Sequence, residues 1–475
     1  MSLSTALSIA QNSLLNTQRQ MGVVSKNMAN QYNGDYSRRA AVISSLGPGS
    51  QVATISRATS TALFKQNLAA LSGWTAQSTI VDGLDHLQLA VNGVDNATSP
   101  ATLIGTMQRA LEFFSATPSN RTLAENVVEA ARQVALGLNQ GTSAIQAFRA
   151  DLDGQIAASV AELNQLLADF KMVNDEIIKG AAGDRDVLDS LDRRDALLKK
   201  ISEIVPISTI SRANGDTMIV TADGSTLFET IPRHVHFEPT PAYGATSVGN
   251  NVLVDGVPLF SATGANTTGS GTLSAMLQLR DGYANGLQLQ LDEIARGLIS
   301  AFSESGGDGL FTVPAGSTVP PGSTGLTGLA GAITLNPLVD PTRNGDPLLL
   351  RDGITTDYNP DDLASFNERL FAYIEKLDAP AGFVTASGST VSQSLTAYSA
   401  AAIGWLEDAR KTSASAAEAK SALAIRSAEA LSNVTGVNVD EELALMLELE
   451  HSYSASAKML QVVDEMLRTL LAAVR

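Results

Sequence analysis

Histidines and carboxylates are the side chains with which this chain would do chemistry, and their spacing argues against most of it. The histidines are His86, His234, His236 and His451. His234 and His236 stand two apart, on one face if the segment is a strand, and such a pair chelates a metal when a third ligand approaches. No third ligand has recognisable spacing, and H-E-x-x-H is absent. The aspartates Asp184, Asp186, Asp189, Asp192 and Asp195 recur every two or three residues. A calcium loop would wrap such carboxylates around one ion. Spread along a helix and interleaved with Arg185, Arg193 and Arg194, they read instead as a solvated, salt-bridged face. Phosphate-cradling loops, the dinucleotide fingerprint and G-x-S-x-G do not occur. The expectation is a non-enzyme with no catalytic, cofactor-binding or metal-ligating residues and no cofactor.

Composition narrows the partners. The chain has 475 residues, 44% hydrophobic but only 17% charged, with a net charge of -17. Its length allows two to four modules, each able to bury a core. An acidic balance repels phosphate backbones, so nucleic acid is not expected as a partner. There is no cysteine, which removes disulfides and thiolate sites and leaves the redox compartment open. No basic segment followed by an apolar block opens the chain, and no stretch reaches the ~18 apolar residues of a membrane span. A chain exported without a cleaved signal, and no membrane insertion, are the expectations.

The elements that would carry any function are helical at both ends. Leu3, Leu7, Leu14, Met21, Val24 and Met28 fall on one stripe that steps by threes and fours, as do Met446, Leu449, Tyr453, Leu460, Val463, Leu467, Leu470 and Val474. Asn438 with Glu441 three residues on forms a capping box before the second stripe, and Asp440 suits the positive end of the helix dipole. Neither stripe has a partner nearby in sequence, so the two ends are expected to pair as a coiled coil. Between Met1 and Gly34 the charged residues are Arg19 and Lys26 alone, amid serines and amides. A surface so weakly charged suits packing against neighbouring subunits.

Between the ends, Ala41–Ser56 reads as extended. Apolar residues from Ile145 to Ile177 mark a long helix, stopped by Gly180 and Gly183, and a charged helix runs from Asp184 to Ile204. The period then changes to two. Strands are expected at 207–211, 217–221, 225–229, 235–237 and 252–254, with Asn214-Gly215, Asp223-Gly224 and Asp255-Gly256 as turns. Helix resumes at 272–305. Residues 306–362 read as loop with one short strand at 332–335, and helices follow at 362–377 and 391–431. The fold class is therefore mainly α with a central β insert, nested in three parts. Residues 1–60 with 435–475 form a terminal helical core, 61–204 with 272–434 a bundle of long helices, and 205–271 a small antiparallel β domain read as outward decoration.

Lys26-Asn27-Met28-Ala29-Asn30 through Tyr36-Ser37-Arg38 resembles the N-terminal signature of flagellar rod, hook and hook-associated proteins, with Asn27, Asn30, Tyr36 and Arg38 in its positions and Asn33 where threonine is usual. Leu191-Asp192-Arg193-Arg194-Asp195-Ala196-Leu197 and Gly271-Thr272-Leu273 through Leu279-Arg280-Asp281 resemble interior segments of the hook-associated protein 1 family. Gly436-Val437-Asn438-Val439-Asp440-Glu441-Glu442-Leu443 resembles its C-terminal signature. The resemblance implies a structural subunit of the bacterial flagellum at the hook–filament junction, an adaptor on which the filament assembles. It also implies hook protein, a second junction protein and filament-side subunits as partners, self-assembly, export through the flagellar type III apparatus and a chaperone on the C-terminal helix. Cytoplasmic before export, the chain would function outside the cell. A sibling axial component is the alternative, and an extracellular β-domain adhesin or enzyme on a helical stalk a more remote one.

Overall fold

The computed structural model describes residues 3–44, 51–183, 185–259, 270–305, 307–314, 319 and 325–473. Helix α1 (Leu3–Ala29) leads into a hairpin of β1 (Arg39–Ser44) and β2 (Gln51–Arg57). The helices α2 (Thr61–Asn92), α3 (Pro100–Ala116), α4 (Arg121–Ala182) and α5 (Leu188–Ile204) follow. The insert comprises β3 (Ile207–Ser211), β4 (Thr217–Thr221), β5 (Thr226–Phe228), β6 (Val235–His236), β7 (Leu253–Val254) and β8 (Val257–Pro258). They form two antiparallel three-stranded sheets, β3-β4-β5 and β6-β7-β8. Helix α6 (Thr272–Gln278) runs through a π turn, Leu279–Tyr283, into α7 (Ala284–Phe302). Next come β9 (Phe311–Thr312), α8 (Leu329–Ala332), β10 (Thr334–Leu335), α9 (Leu349–Asp352) and α10 (Glu368–Asp378). The hairpin β11 (Ala381–Val384) and β12 (Thr390–Gln393) precedes α11 (Leu395–Thr435) and α12 (Val439–Ala473).

Helix α4 is the spine, 62 residues long and so about 90 Å. Asn120 caps it by accepting from the Thr122 and Leu123 amides, and apolar residues at helical spacing, from Val127 through Ile145 and Phe170 to Ile177, are buried along one side. Helix α2 packs on it, and α11 runs antiparallel to α2. Asn67 Nδ2 donates to Ser427 Oγ at 3.1 Å, and Arg410 Nε meets Asp85 at 2.7 Å further along the pair.

The insert is part of this body. Ile219, Leu227, Phe228, Val235, Val252, Val254 and Leu259 are buried in the same apolar cluster as α4, and Asn164 of α4 bonds the Val235 backbone on both its N–H and its C=O. The loop from Glu238 to Asn250 is clamped by charge. Buried Arg280 donates to Asp153 at 2.7 Å and to the Asn250 carbonyl at 2.9 Å, while Arg149 donates to the Ser247 carbonyl at 2.7 Å. The insert is therefore not free-standing: period-two faces show that a sheet is half-buried, but not that its buried side seals a helix 70 residues upstream.

Three boundaries also differ from the reading of the sequence. Residues 391–393 belong to the β11/β12 hairpin, whose turn at Gly388 has φ +82°, so α11 begins at Leu395 under a Ser394 cap. Helix α10 starts six residues later than 362, because Asn359 ties up the Leu363 amide and carbonyl in a loop. Helix α5 starts at Leu188 rather than 184, and Asp184 lies outside the described residues.

Among the described residues the main apolar cluster runs from Leu68 to Leu406 and takes nothing from α1, the first hairpin or α12. The chain ends pack on each other and are tied to the body by something other than a shared apolar core.

Candidate functional site, the joint between the chain ends and the body

The tie is a network of charges and amides assembled from four distant segments. Asn27, in the last turn of α1, is fully buried. Its Nδ2 donates to the Arg39 carbonyl at 2.8 Å and to Glu442 Oε2 at 3.1 Å, and its Oδ1 accepts from the Tyr36 hydroxyl at 2.7 Å and the Arg39 amide at 3.0 Å. All four hydrogen-bonding positions of the amide are therefore filled. Glu442, in the first turn of α12, gives its other oxygen to Arg38 Nε at 2.7 Å, and the Arg38 amide donates to the Thr435 carbonyl at the end of α11 at 2.7 Å.

Helix α5 closes the network from the body side. In the first hairpin Arg39 and Arg57 stand directly opposite each other, a like-charge cross-strand pair that is unfavourable by itself. Asp189, Asp192 and Asp195 recur every third residue on α5 and answer that charge. Asp192 accepts from Arg57 Nε at 2.7 Å, Arg39 at 3.0 Å and the Ser37 amide at 3.3 Å, Asp195 accepts from Arg57 at 2.6 Å, and Asp189 binds Arg39 and Lys26, the latter at 3.0 Å. Three cations meet three carboxylates. The Arg39 guanidinium, hydrogen-bonded to Asp189, holds that carboxyl below the usual carboxylate range, and burial pushes the Tyr36 phenol up to about 12. The aspartates form the expected salt bridges, but across the chain rather than along their helix: Arg193 turns to Glu176, Arg194 to the Gly215 carbonyl, and the aspartates to residues about 150 positions upstream.

Beyond the joint the two ends run antiparallel. Asn27 meets Glu442, and Ser13 Oγ meets Ser456 Oγ at 2.8 Å. Buried along the seam are Ala10, Asn16, Thr17 and Val24 on α1, and Glu442, Leu449, Ser456 and Val463 on α12 at intervals of seven. Leu7, Leu14, Met21, Met28, Met446, Leu460 and Leu467 flank it half-buried. Leu3 opens α1, Tyr453 and Leu470 are exposed, and Val474 lies outside the described residues. Antiparallel register explains Leu470: Leu3 falls opposite the level of 466, so α12 extends past the described end of its partner. Asn438 accepts from the Asp440 and Glu441 amides at 3.1 and 3.5 Å and so caps the helix, but the reciprocal contact of the expected capping box runs from its side-chain Nδ2 to Glu441 rather than from its backbone N–H, while Val437 is half-buried beside it. Asn30 donates to the Lys26 carbonyl at 2.9 Å and closes the last turn of α1.

A second apolar stripe was missed. Met459, Val462 and Met466 are exposed along one flank of the α12 seam, and Val462, Glu465, Met466, Thr469, Leu470 and Ala473 line a shallow groove there. Its signal in the sequence is the three-and-four spacing of those residues, which the stronger neighbouring stripe masks. The roles of Glu442 and of Arg39 and Arg57 leave no local signal, because the partners of the arginines lie about 150 residues away and those of Glu442 about 400.

The histidines assemble nothing further. His234 and His236 have ring centroids 6.3 Å apart on the exposed side of β6, and His86 packs edge-on against Phe148. Among the described residues no three metal-capable side chains cluster, and no helix is long and apolar enough to cross a membrane.

Comparison with known proteins bears on these same segments. Residues 87–313 match the model of the flagellar hook-associated protein FlgK helical domain, and residues 431–473 match that of the flagellar basal body rod FlgEFG protein C-terminal. The chain is 22% identical over 412 residues to flagellar hook-associated protein 1 of Bacillus subtilis (strain 168), covering 79% of this chain and 77% of that one. Its fold is similar to that of the flagellar hook junction protein FlgK from Burkholderia pseudomallei, with a TM-score of 0.58 at 13% identity over 77% of this chain and 99% of the other.

Proposed function

We propose, from the premise that this chain is of the flagellar hook-associated protein 1 type, that it is a structural subunit of the hook–filament junction. The observation that carries the proposal is the state of α12. One face is closed by α1, while Met459, Val462 and Met466 beside it are open and apolar, as a helix needs when further helices are to pack on it. The rod-protein match at 431–473 belongs with the axial proteins in general, and the helical-body match at 87–313 favours the hook-associated branch over a rod or hook subunit.

On this reading residues 1–60 with 435–475 are the polymerising core, 61–204 with 272–434 the supporting bundle, and 205–271 its β-bearing outer part. Leu3, Leu7, Leu14 and Val474 join Met459 and Met466 as packing residues between copies. Hook protein, the second junction protein and filament-side subunits are the neighbours, and the export chaperone would hold α12 before assembly. The protein works outside the cell in the flagellum and carries no catalytic role. Deleting the gene and imaging the cells tests this: bare hooks, with filament protein shed into the medium and restored by the intact gene, are expected. Complete filaments on the deletion strain would exclude it.

A further inference from the structure

The turn between Asn27 and Tyr36 contains Asn33-Gly34, and its atoms are set up for a reaction within the chain. Asn33 and Gly34 are exposed, and nothing lies within 4 Å of where a Gly34 β-carbon would stand. The Gly34 amide makes no hydrogen bond among the described residues, so its nitrogen is available to the neighbouring Asn33 Cγ. Two backbone donors address the oxygens that would carry the developing charge. The Asp35 N–H donates to Asn33 Oδ1 at 3.1 Å, where the tetrahedral oxyanion forms, and the Tyr36 N–H donates to the Asn33 carbonyl at 3.0 Å, which stabilises the ionised Gly34 amide.

Three other Asn-Gly pairs, at 92, 285 and 344, lack this arrangement. Asn92 is buried and the Gly93 amide is bonded to Leu89. Asn285-Gly286 sits inside the helical run from Thr272 to Phe302, where amides are committed to carbonyls one turn back. The Gly345 amide donates to the Asp340 carbonyl at 2.8 Å.

We propose that Asn33 is a self-modification site. The Gly34 nitrogen bonds to Asn33 Cγ, the Cγ–Nδ2 bond breaks, and the amide proton of Gly34 leaves with the side-chain nitrogen as ammonia. Water then opens the resulting five-membered imide at either carbonyl, giving aspartate or isoaspartate at position 33. The product adds a carboxylate beside Asp35, which already holds Lys199 at 2.9 Å. The isoaspartate form also lengthens the main chain by one carbon in the turn that sets Tyr36 on Asn27, so conversion loosens the joint.

The test holds the full-length chain in mildly alkaline buffer, folded or in urea, and maps peptides by mass with an isoaspartate methyltransferase as reporter. In the folded chain Asn33 should convert as fast as in urea or faster, while Asn92, Asn285 and Asn344 convert about tenfold or more slowly than in urea, because each needs a local opening first. Gly34→Ala should suppress the product in both states. Aged wild-type protein should melt lower than aged Asn33→Thr protein, which cannot form the imide. An intact Asn33 in a folded chain whose urea control converts would overturn the proposal, and so would conversion with equal melting of the two aged proteins for its effect on the joint.

Discussion

Replacing Glu442 by alanine removes the one carboxylate that, among the described residues, joins α12 to the N-terminal segment. The wild-type side chain is fully buried and makes a charge-assisted bond of 2.7 Å to Arg38 Nε and a bond of 3.1 Å to Asn27 Nδ2. A bond to a charged group contributes about 1.5–3 kcal/mol and a neutral donor about 1 kcal/mol. Arg38 keeps 31% of its side chain exposed and can turn to water, whereas buried Asn27 keeps one Nδ2 donor on the Arg39 carbonyl and loses the partner of the other. The net cost should be about 2–3 kcal/mol, confined to the ends because they share no apolar core with the body. Amide exchange in α1 and α12 should then quicken about 30- to 150-fold, at 1.4 kcal/mol per decade, with α4 unchanged. A double-mutant cycle with Arg38→Ala should return about 1–2 kcal/mol of coupling. Unchanged exchange in α12, or a loss shared equally by α4, would refute the claim that this joint holds the ends to the body.

Acid should loosen the same joint. Asp189 has its carboxyl lowered by Arg39, so its contribution is fully present above the unfolded value of about 3.9 and is lost as pH falls towards the lower folded one; Asp189→Asn should flatten the acid limb of a stability–pH curve. The Tyr36 phenol, raised to about 12 by burial, favours folding below the unfolded value of about 10 and loses that contribution as pH rises towards 12; burial also raises Tyr243, Tyr283, Tyr373 and Tyr398, so Tyr36→Phe should remove one tyrosine from the late-titrating group in phenolate absorbance. Gly271 has φ +79° and would place a β-carbon 2.5 Å from the Ile204 carbonyl oxygen; Gly271→Ala should lower stability by at least about 1–3 kcal/mol, read in urea. Deleting 205–271 strips Ile219, Leu227, Phe228, Val235 and Val252 from the α4 cluster, at ~1.5–3 kcal/mol each, so loss of cooperative melting is expected rather than a folded, trimmed protein.

The sequence is most legible where one period persists. The spine from Ile145 to Ile177, the seam positions Leu449 and Val463, and the Asn438 cap follow from spacing and local chemistry alone. Asp255-Gly256 and Asp223-Gly224 likewise mark real turns with positive φ at glycine. The hairpin at 381–393 is hidden because four-residue strands rich in serine, threonine and glycine carry little period, and the Ala- and Ser-rich texture of α11 overruns them. The joint is hidden for a different reason. Arg39 and Arg57 look like exposed charges until they are brought opposite each other, and Asp192 looks like helix surface until both arrive. Signature positions such as Asn27 and Tyr36 can be found by resemblance, but their reason, a single amide saturated by four partners, exists only in the folded chain.

The account turns on the open flank of α12 meeting other subunits, and the absence of cysteine from the chain allows a direct test. Met466→Cys and, as control, Ser427→Cys, buried between α2 and α11, would be introduced into functional protein and junctions isolated from cells treated with a short bis-thiol cross-linker. Met466→Cys should yield covalent multimers in assembled junctions and none in dilute monomer, with Ser427→Cys yielding none in either. Assembled junctions that contain the Met466→Cys protein with its thiol freely labelled and uncross-linked would contradict the account.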